Sequence, residues 1–324
     1  MPYSDRETST RATLSPAWQE MQQRIDWMSV PGMADYVNGL VSGKRLDQGG
    51  HWAIYARDRH VAPLLARRKV QDPACAGLTM VSMACGSAHI ERALIVEFEW
   101  PISSLLGLEY DDVLRSQARE AFRSVPHCRS EFSFYDFNHD LALDSRFDLV
   151  FTCHSIHHAS DIERLLALMS RILKPDGLLI GIDYFGPTRF QIEHDVLPII
   201  EELFSMLPPA LRRDLRDPEG RVQERFAPAS IKEVRDADMS ESVRSSDLRT
   251  LLFSNFRVVD LKPMGGTLLR WLLQYRAGNF DPSKEEHVAI ARLLQFIEGE
   301  LIALRRIKSD DLFFALQQSD RLRV

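Results

Sequence analysis

Cysteine is scarce in this chain. Cys75, Cys85, Cys128 and Cys153 are the four among 324 residues, and no two stand in C-x-x-C spacing. That excludes a disulfide framework and a cysteine-ligated zinc module, and it predicts reduced thiols in a cytoplasmic protein. No apolar run is long enough to span a bilayer, and no basic stretch leads into an apolar one near residue 1. Neither a membrane segment nor a signal peptide is therefore expected. No block of Lys and Arg stands out from its surroundings. With 40 basic against 46 acidic residues the net charge is −6, which argues against a nucleic-acid partner. Internal repeats and low-complexity tracts are absent.

What the chain does have is an organised stretch from Leu78 to Leu94, LTMVSMACGSAHIERAL. Leu78 to Ala84 is an apolar run of single-strand length. Cys85 to Ala88 is a turn of small residues, and helix-favouring residues follow. Strand, tight turn and helix make the first half of a βαβ unit, with free N–H groups of the helix start aimed at a ligand. A second apolar run, Ile102 to Leu108, ends in Glu109, about 20 positions after the turn, where a carboxylate can accept from both hydroxyls of a ribose. Ser130 to Tyr135 reads as a strand ending in Asp136-Phe137-Asn138. Phe147 to Cys153 reads as a strand followed by His154-Ser155-Ile156-His157-His158. LKPDG, Leu173 to Gly177, leads into the run Leu178 to Ile182.

This order of motifs resembles the class I S-adenosylmethionine (SAM) dependent methyltransferases, over roughly Leu78 to Gly186 and again at the C-terminal side. The resemblance implies an α/β fold. Its core is a doubly wound, mostly parallel seven-stranded sheet of the Rossmann-like methyltransferase type, with N-terminal helices and helical insertions forming a lid. It implies SAM as cofactor and methyl transfer to a small-molecule acceptor. The family's first turn is acidic-x-Gly-x-Gly-x-Gly. Here Ser82 replaces the acid, Ala84 and Ala88 replace the first and third glycines, and only Gly86 remains. If Ala84 or Ala88 needs φ > 0, each costs roughly 1 kcal/mol. The altered turn leaves open a second possibility, a protein of this fold that binds SAM without methylating.

Met83, Ala84, Gly86 and Ser87 are then expected against the methionine part of the cofactor and Glu109 with Tyr110 at the ribose. Asp136, Phe137 and Asn138 are expected around the adenine, and His154 beside them. His154 and His158 are the leading candidates for proton removal from an acceptor hydroxyl, because a histidine titrates near working pH. That makes oxygen the expected acceptor atom. The His154-x-x-His157-His158 pattern invites a metal. With no third ligand type nearby in the sequence, none is expected. Trp52 and Tyr55 are candidates for a cap over the site. Asp183, Tyr184, Arg189 and Arg244 are candidates for holding an acceptor, and the two arginines suggest an anionic one.

The expected division is an N-terminal helical cap at 1–72 and the cofactor-binding core at 73–188. A helical lid follows at 189–244, and the sheet is completed at 245–324 around a helical insertion at 265–308. The cap opens with a helix from Ser15-Pro16 that carries Trp18, Met21, Ile25 and Met28 on one face. Ser160 or Asp161 should cap one core helix, and Ser245 or Ser246 another. A homodimer is a possible assembly.

Overall fold

The structure, a computed structural model, describes residues 25–137, 139 and 141–319. Trp18, Met21 and Asn138 lie outside the described residues. Seven strands form one sheet: β1 (Leu78–Met83), β2 (Ile102–Glu109), β3 (Arg129–Phe134), β4 (Phe147–Cys153), β5 (Leu173–Tyr184), β6 (Phe256–Pro263) and β7 (Asp311–Gln318). Their order is β3-β2-β1-β4-β5-β7-β6. The first five run parallel, and β7 lies antiparallel between β5 and β6. The LKPDG segment belongs to β5 itself rather than leading into it.

Alternation along the strands divides the core in two. Met80, Leu149, Phe151, Ile180, Ile182 and Phe313 point to one face. Their neighbours Val81, Val150, Leu179, Leu312 and Phe314 point to the other. A period of two on a sheet covered on both sides requires this.

Helices cover both faces. They are α1 (Met33–Ser42), α2 (Trp52–Ala56), α3 (Ala62–Gln71), α4 (His89–Val96), α5 (Asp112–Phe122), α6 (Ile162–Ile172), α7 (Leu197–Met206), α8 (Ile231–Ala237), α9 (Ser245–Asn255), α10 (Leu269–Leu273) and α11 (Glu285–Ala303). A π-helical stretch, Arg57–Val61, joins α2 to α3. Asp111 caps α5 by accepting from the N–H groups of Val113 and Leu114. Asp161 caps α6 by accepting from Arg164. Each satisfies donors that the first helical turn leaves free.

Several elements differ from expectation. Met28 sits in a short 3-10 turn, Trp27–Ser29, because the Asp26 side chain accepts from its N–H and tightens the chain there. Ser245 opens α9 rather than capping it. Arg244 holds the cap position with no side-chain bond, and the Ser246 hydroxyl accepts from Thr188 N–H at 2.8 Å. The 189–244 segment is less helical than expected. Between α7 and α8 it holds a 3-10 turn at Pro209–Arg212 and a single bridge from Arg213 to Val222. Prolines and short Asp-Arg pairs deny that tract a helical run. Its two ends are tied together, with Arg189 N–H donating to Ser242 O at 2.7 Å. Within the 265–308 insertion the first helix, α10, starts only at Leu269, since Gly265 and Gly266 take φ of 79° and 86° ahead of it.

Candidate active site

The C-terminal ends of β1, β2, β4 and β5 converge at the point where the strand order reverses, the usual ligand position in such sheets. The turn after β1 is left-handed at three positions. Ala84, Gly86 and Ala88 have φ of 51°, 57° and 55°. The two alanines therefore carry the strain foreseen from the sequence, roughly 1 kcal/mol each. Nothing lies within 4 Å of where a Cβ at Gly86 would stand, so the outer face of the turn is clear. Glu109 braces this turn. One carboxylate oxygen accepts from Gly86 N–H at 2.8 Å and the other from Asp111 N–H at 2.9 Å. Each oxygen keeps a lone pair for a further donor. Tyr110 is exposed beside it. Asp136 pairs with His139 at 3.0 Å, and Phe137 packs against Tyr135. Met83 is fully buried beneath the turn.

The acid missing from the end of β1 is replaced from elsewhere. Glu91 of α4 is 3% exposed and accepts from the Ser82 hydroxyl at 2.5 Å. Its second oxygen has no partner. Burial pushes its pKa up to about 7. A carboxyl with a raised folded pKa favours the native state most below its unfolded value. That advantage fades as pH rises through the folded value. Glu91→Gln is therefore expected to stabilise the protein by about 1–3 kcal/mol at pH 8 and by much less at pH 5. Urea unfolding at the two pH values checks this. An equal effect at both would show that the carboxyl does not titrate in this range.

A cavity of about 760 Å³ opens beside the turn. Trp27, Trp52, Phe98, Tyr184 and Phe190 supply aromatic walls, while His154, His157, His158, Glu241, Arg270 and Asp311 supply polar groups. His154 takes φ of 47°, an uncommon conformation for a histidine. Its N–H donates to Ile182 O at 2.8 Å, which fixes the bend, and its side chain stays accessible at the cavity wall. Enclosure by the surrounding protein lowers its pKa below the ordinary histidine value, against the pull of Asp311 and Asp183.

Asp183, fully buried at the end of β5, organises the loop after β4. It accepts from Ser155 N–H at 3.0 Å, Ile156 N–H at 2.8 Å, Tyr184 N–H at 2.8 Å and His157 Nδ1 at 2.5 Å. Burial opposes the charge of His157. The carboxylates of Asp183 and then Glu241 outweigh it and raise the pKa. His158 bonds Ser240 Oγ through Nδ1 at 3.0 Å, and burial lowers its pKa, with His157 adding to the effect.

The remaining sequence candidates divide. Trp52 and Tyr184 line the cavity. Tyr55 donates to Asp260 at 2.7 Å, pinning the N-terminal helices to β6. Arg189 donates to Met239 O and braces the 189–244 segment. Arg244 pairs with Glu163 at 2.7 Å and Asp247 at 2.9 Å. Neither arginine is among the cavity-lining residues. The cation that does line it is Arg270, ion-paired with Asp311 and lying 5.4 Å from the Tyr184 ring and 5.0 Å from that of Phe190.

Sequence reasoning missed Arg270, Asp311, Glu91 and Glu241. Two of them left a signal. Arg270 interrupts the apolar run Leu268-Leu269-Arg270-Trp271-Leu272-Leu273, and Glu91 falls three and four residues before the buried Leu94 and Ile95, on the inward face of α4. Glu241 left none.

Residues 81–181 match the family described as methyltransferase domain. No curated protein matches the sequence. Among solved structures, a SAM-dependent methyltransferase from Mesorhizobium loti is similar at 16% identity and a TM-score of 0.41, covering 78% of this chain and 96% of its own. The [4+2]-cyclase SpnF is similar at 15% identity and 0.42, covering 90% and 97%. The mitomycin 7-O-methyltransferase MmcR is similar at 14% identity and 0.38, covering 75% and 49%.

Proposed function

We propose that the chain, whose residues 81–181 match a methyltransferase domain, is a class I SAM-dependent methyltransferase that methylates a hydroxyl of a small, uncharged acceptor held in this cavity. The observation that carries this reading is the cavity itself. Its volume suits a small molecule, aromatic and aliphatic side chains make up much of its wall, and the imidazoles that follow β4 stand in it. An anionic acceptor is not favoured, because the arginine at the wall is already neutralised by Asp311.

The residues present fit the cofactor. The clear left-handed turn allows close backbone approach, the start of α4 has no side-chain cap, and Glu109 stands at the end of β2 with lone pairs to spare. When bound, SAM supplies an activated methyl group on sulfur. Glu109 would hold ribose hydroxyls, and Met83, Ala84, Gly86 and Ser87 would present backbone to the methionine part. Tyr110 would stand with Glu109 at the ribose, and Asp136 and Phe137 are assigned to the adenine end. His154 would take the proton from the acceptor hydroxyl, and Trp52 and Tyr184 would keep water out. His158 is less suited to that proton, because Ser240 occupies its Nδ1.

Glu109→Ala is expected to weaken SAM binding by about 1.5–3 kcal/mol, the scale of hydrogen bonds to a charged group. Calorimetry checks it, and wild-type affinity in the folded variant would remove the ribose role. The function itself is tested by incubating protein and SAM with a panel of phenols, alcohols and amines and following S-adenosylhomocysteine. Turnover with hydroxyl compounds is the expected result. The strained alanines at 84 and 88 favour one other reading, a domain that binds SAM without methyl transfer. Binding with no turnover across the panel would decide for it.

A further inference from the structure

His157, His158 and Glu241 each offer a donor atom to one point at the cavity wall. The three atoms lie within 4.8 Å of one another. The sequence pair His157-His158 lacked a third ligand, and the fold brings one from the far end of the 189–244 segment. His157 Nε2 stands 3.4 Å from Glu241 Oε1. That is long for a charge-assisted hydrogen bond, which is about 2.7–2.9 Å. It agrees with the separation of about 3.3 Å between two donors on a tetrahedral zinc with bonds near 2.0–2.1 Å.

The tautomer is also set. His157 Nδ1 is engaged by Asp183 at 2.5 Å, which leaves Nε2 as the outward nitrogen. A histidine that bonds a buried carboxylate through one nitrogen and faces a cation with the other is the usual metal-ligand arrangement, and the carboxylate makes the ligand more basic. Asp183 is in turn fixed by three backbone N–H groups, so the ring cannot turn away. Two imidazoles and one carboxylate suit a first-row transition-metal dication better than magnesium or calcium, which prefer oxygen.

We propose that His157, His158 and Glu241 bind one such dication, of the zinc or ferrous class. All three ligands line the cavity, so the remaining coordination positions face it. Resting on the methyl-transfer reading above, the cation would take the acceptor oxygen as a further ligand and make its proton easier to lose to His154. It would also clamp the 189–244 segment to the core, because Glu241 belongs to that segment and the histidines follow β4.

The test is calorimetric titration of chelator-dialysed full-length protein with Zn²⁺, without SAM or acceptor, so that its outcome is independent of methyl transfer. One Zn²⁺ per chain is expected. Glu241→Ala and His158→Ala should each weaken binding by more than about tenfold. Both side chains are only partly buried, and thermal melts confirm folding of each variant. Should either variant fail to fold, Glu241→Gln, which keeps the shape and removes the charge, takes its place and should show the same loss. Absence of Zn²⁺ binding to wild type, or unchanged affinity in folded variants because the cysteines bind instead, would overturn the proposal.

Discussion

His154→Ala is expected to lower kcat by about 10²–10⁴-fold, the range of general-base assistance, with SAM affinity nearly unchanged. The expectation rests on three features of one residue. Its backbone is held at φ 47° by the bond to Ile182, its ring reaches the cavity, and enclosure keeps the ring neutral further into the acid range than an ordinary histidine. A base works in its deprotonated form. Turnover should therefore rise with pH through a value below that of a free histidine, then level off, and the variant should lose that limb. Once the panel has yielded an acceptor, single-turnover rates across pH check both parts. A loss below about tenfold with an unchanged profile would mean that positioning alone suffices, and the case for oxygen would weaken with it.

Asp183→Ala should cost about 3–5 kcal/mol of stability, the scale for removing one member of a buried charge pair. Its carboxylate serves three backbone N–H groups and His157 Nδ1 together, and alanine leaves all four donors buried without an acceptor. Burial by itself would raise the Asp183 pKa, yet the charge and hydrogen bond of His157 bring it below the ordinary value. A depressed carboxyl stabilises the fold above its unfolded pKa, and that contribution is lost as pH falls through the folded value. The wild-type advantage over the variant should thus shrink under acid conditions. Urea unfolding of both proteins measures it. A difference under about 1 kcal/mol at neutral pH would show that backbone and water compensate.

Much of the core was readable because local chemistry decided it. Asp161 caps the helix it precedes, and Leu165, Leu166, Met169 and Ile172 turn inward on α6 as their spacing requires. Runs such as Leu149–Val150–Phe151 are apolar throughout because they are buried on both faces. Glu109 falls at the end of β2 because strand length and turn spacing leave it little choice. The left-handed backbone at Ala84 and Ala88 was foreseen only as a condition, since alanine does not announce it. The site's outer half was not readable. Arg189 and Arg244 suggested an acceptor's anion, but each meets nearby carbonyls or carboxylates first. His157 outranks His158 as the organised imidazole only because Asp183, 26 positions later, bonds it. Glu241 and Asp311 reach the cavity through tertiary placement, which no local pattern encodes.

The position of β7 bears on how the protein is made. β5 cannot pair on its outer side, nor β6 on its inner side, until Asp311–Gln318 has been synthesised and slotted between them. Asp311 on that strand also neutralises Arg270 at the cavity wall. During translation the five parallel strands can assemble as they leave the ribosome, with the β5 edge left open and Arg270 unpaired. That interval is the period of greatest exposure to strand-to-strand aggregation.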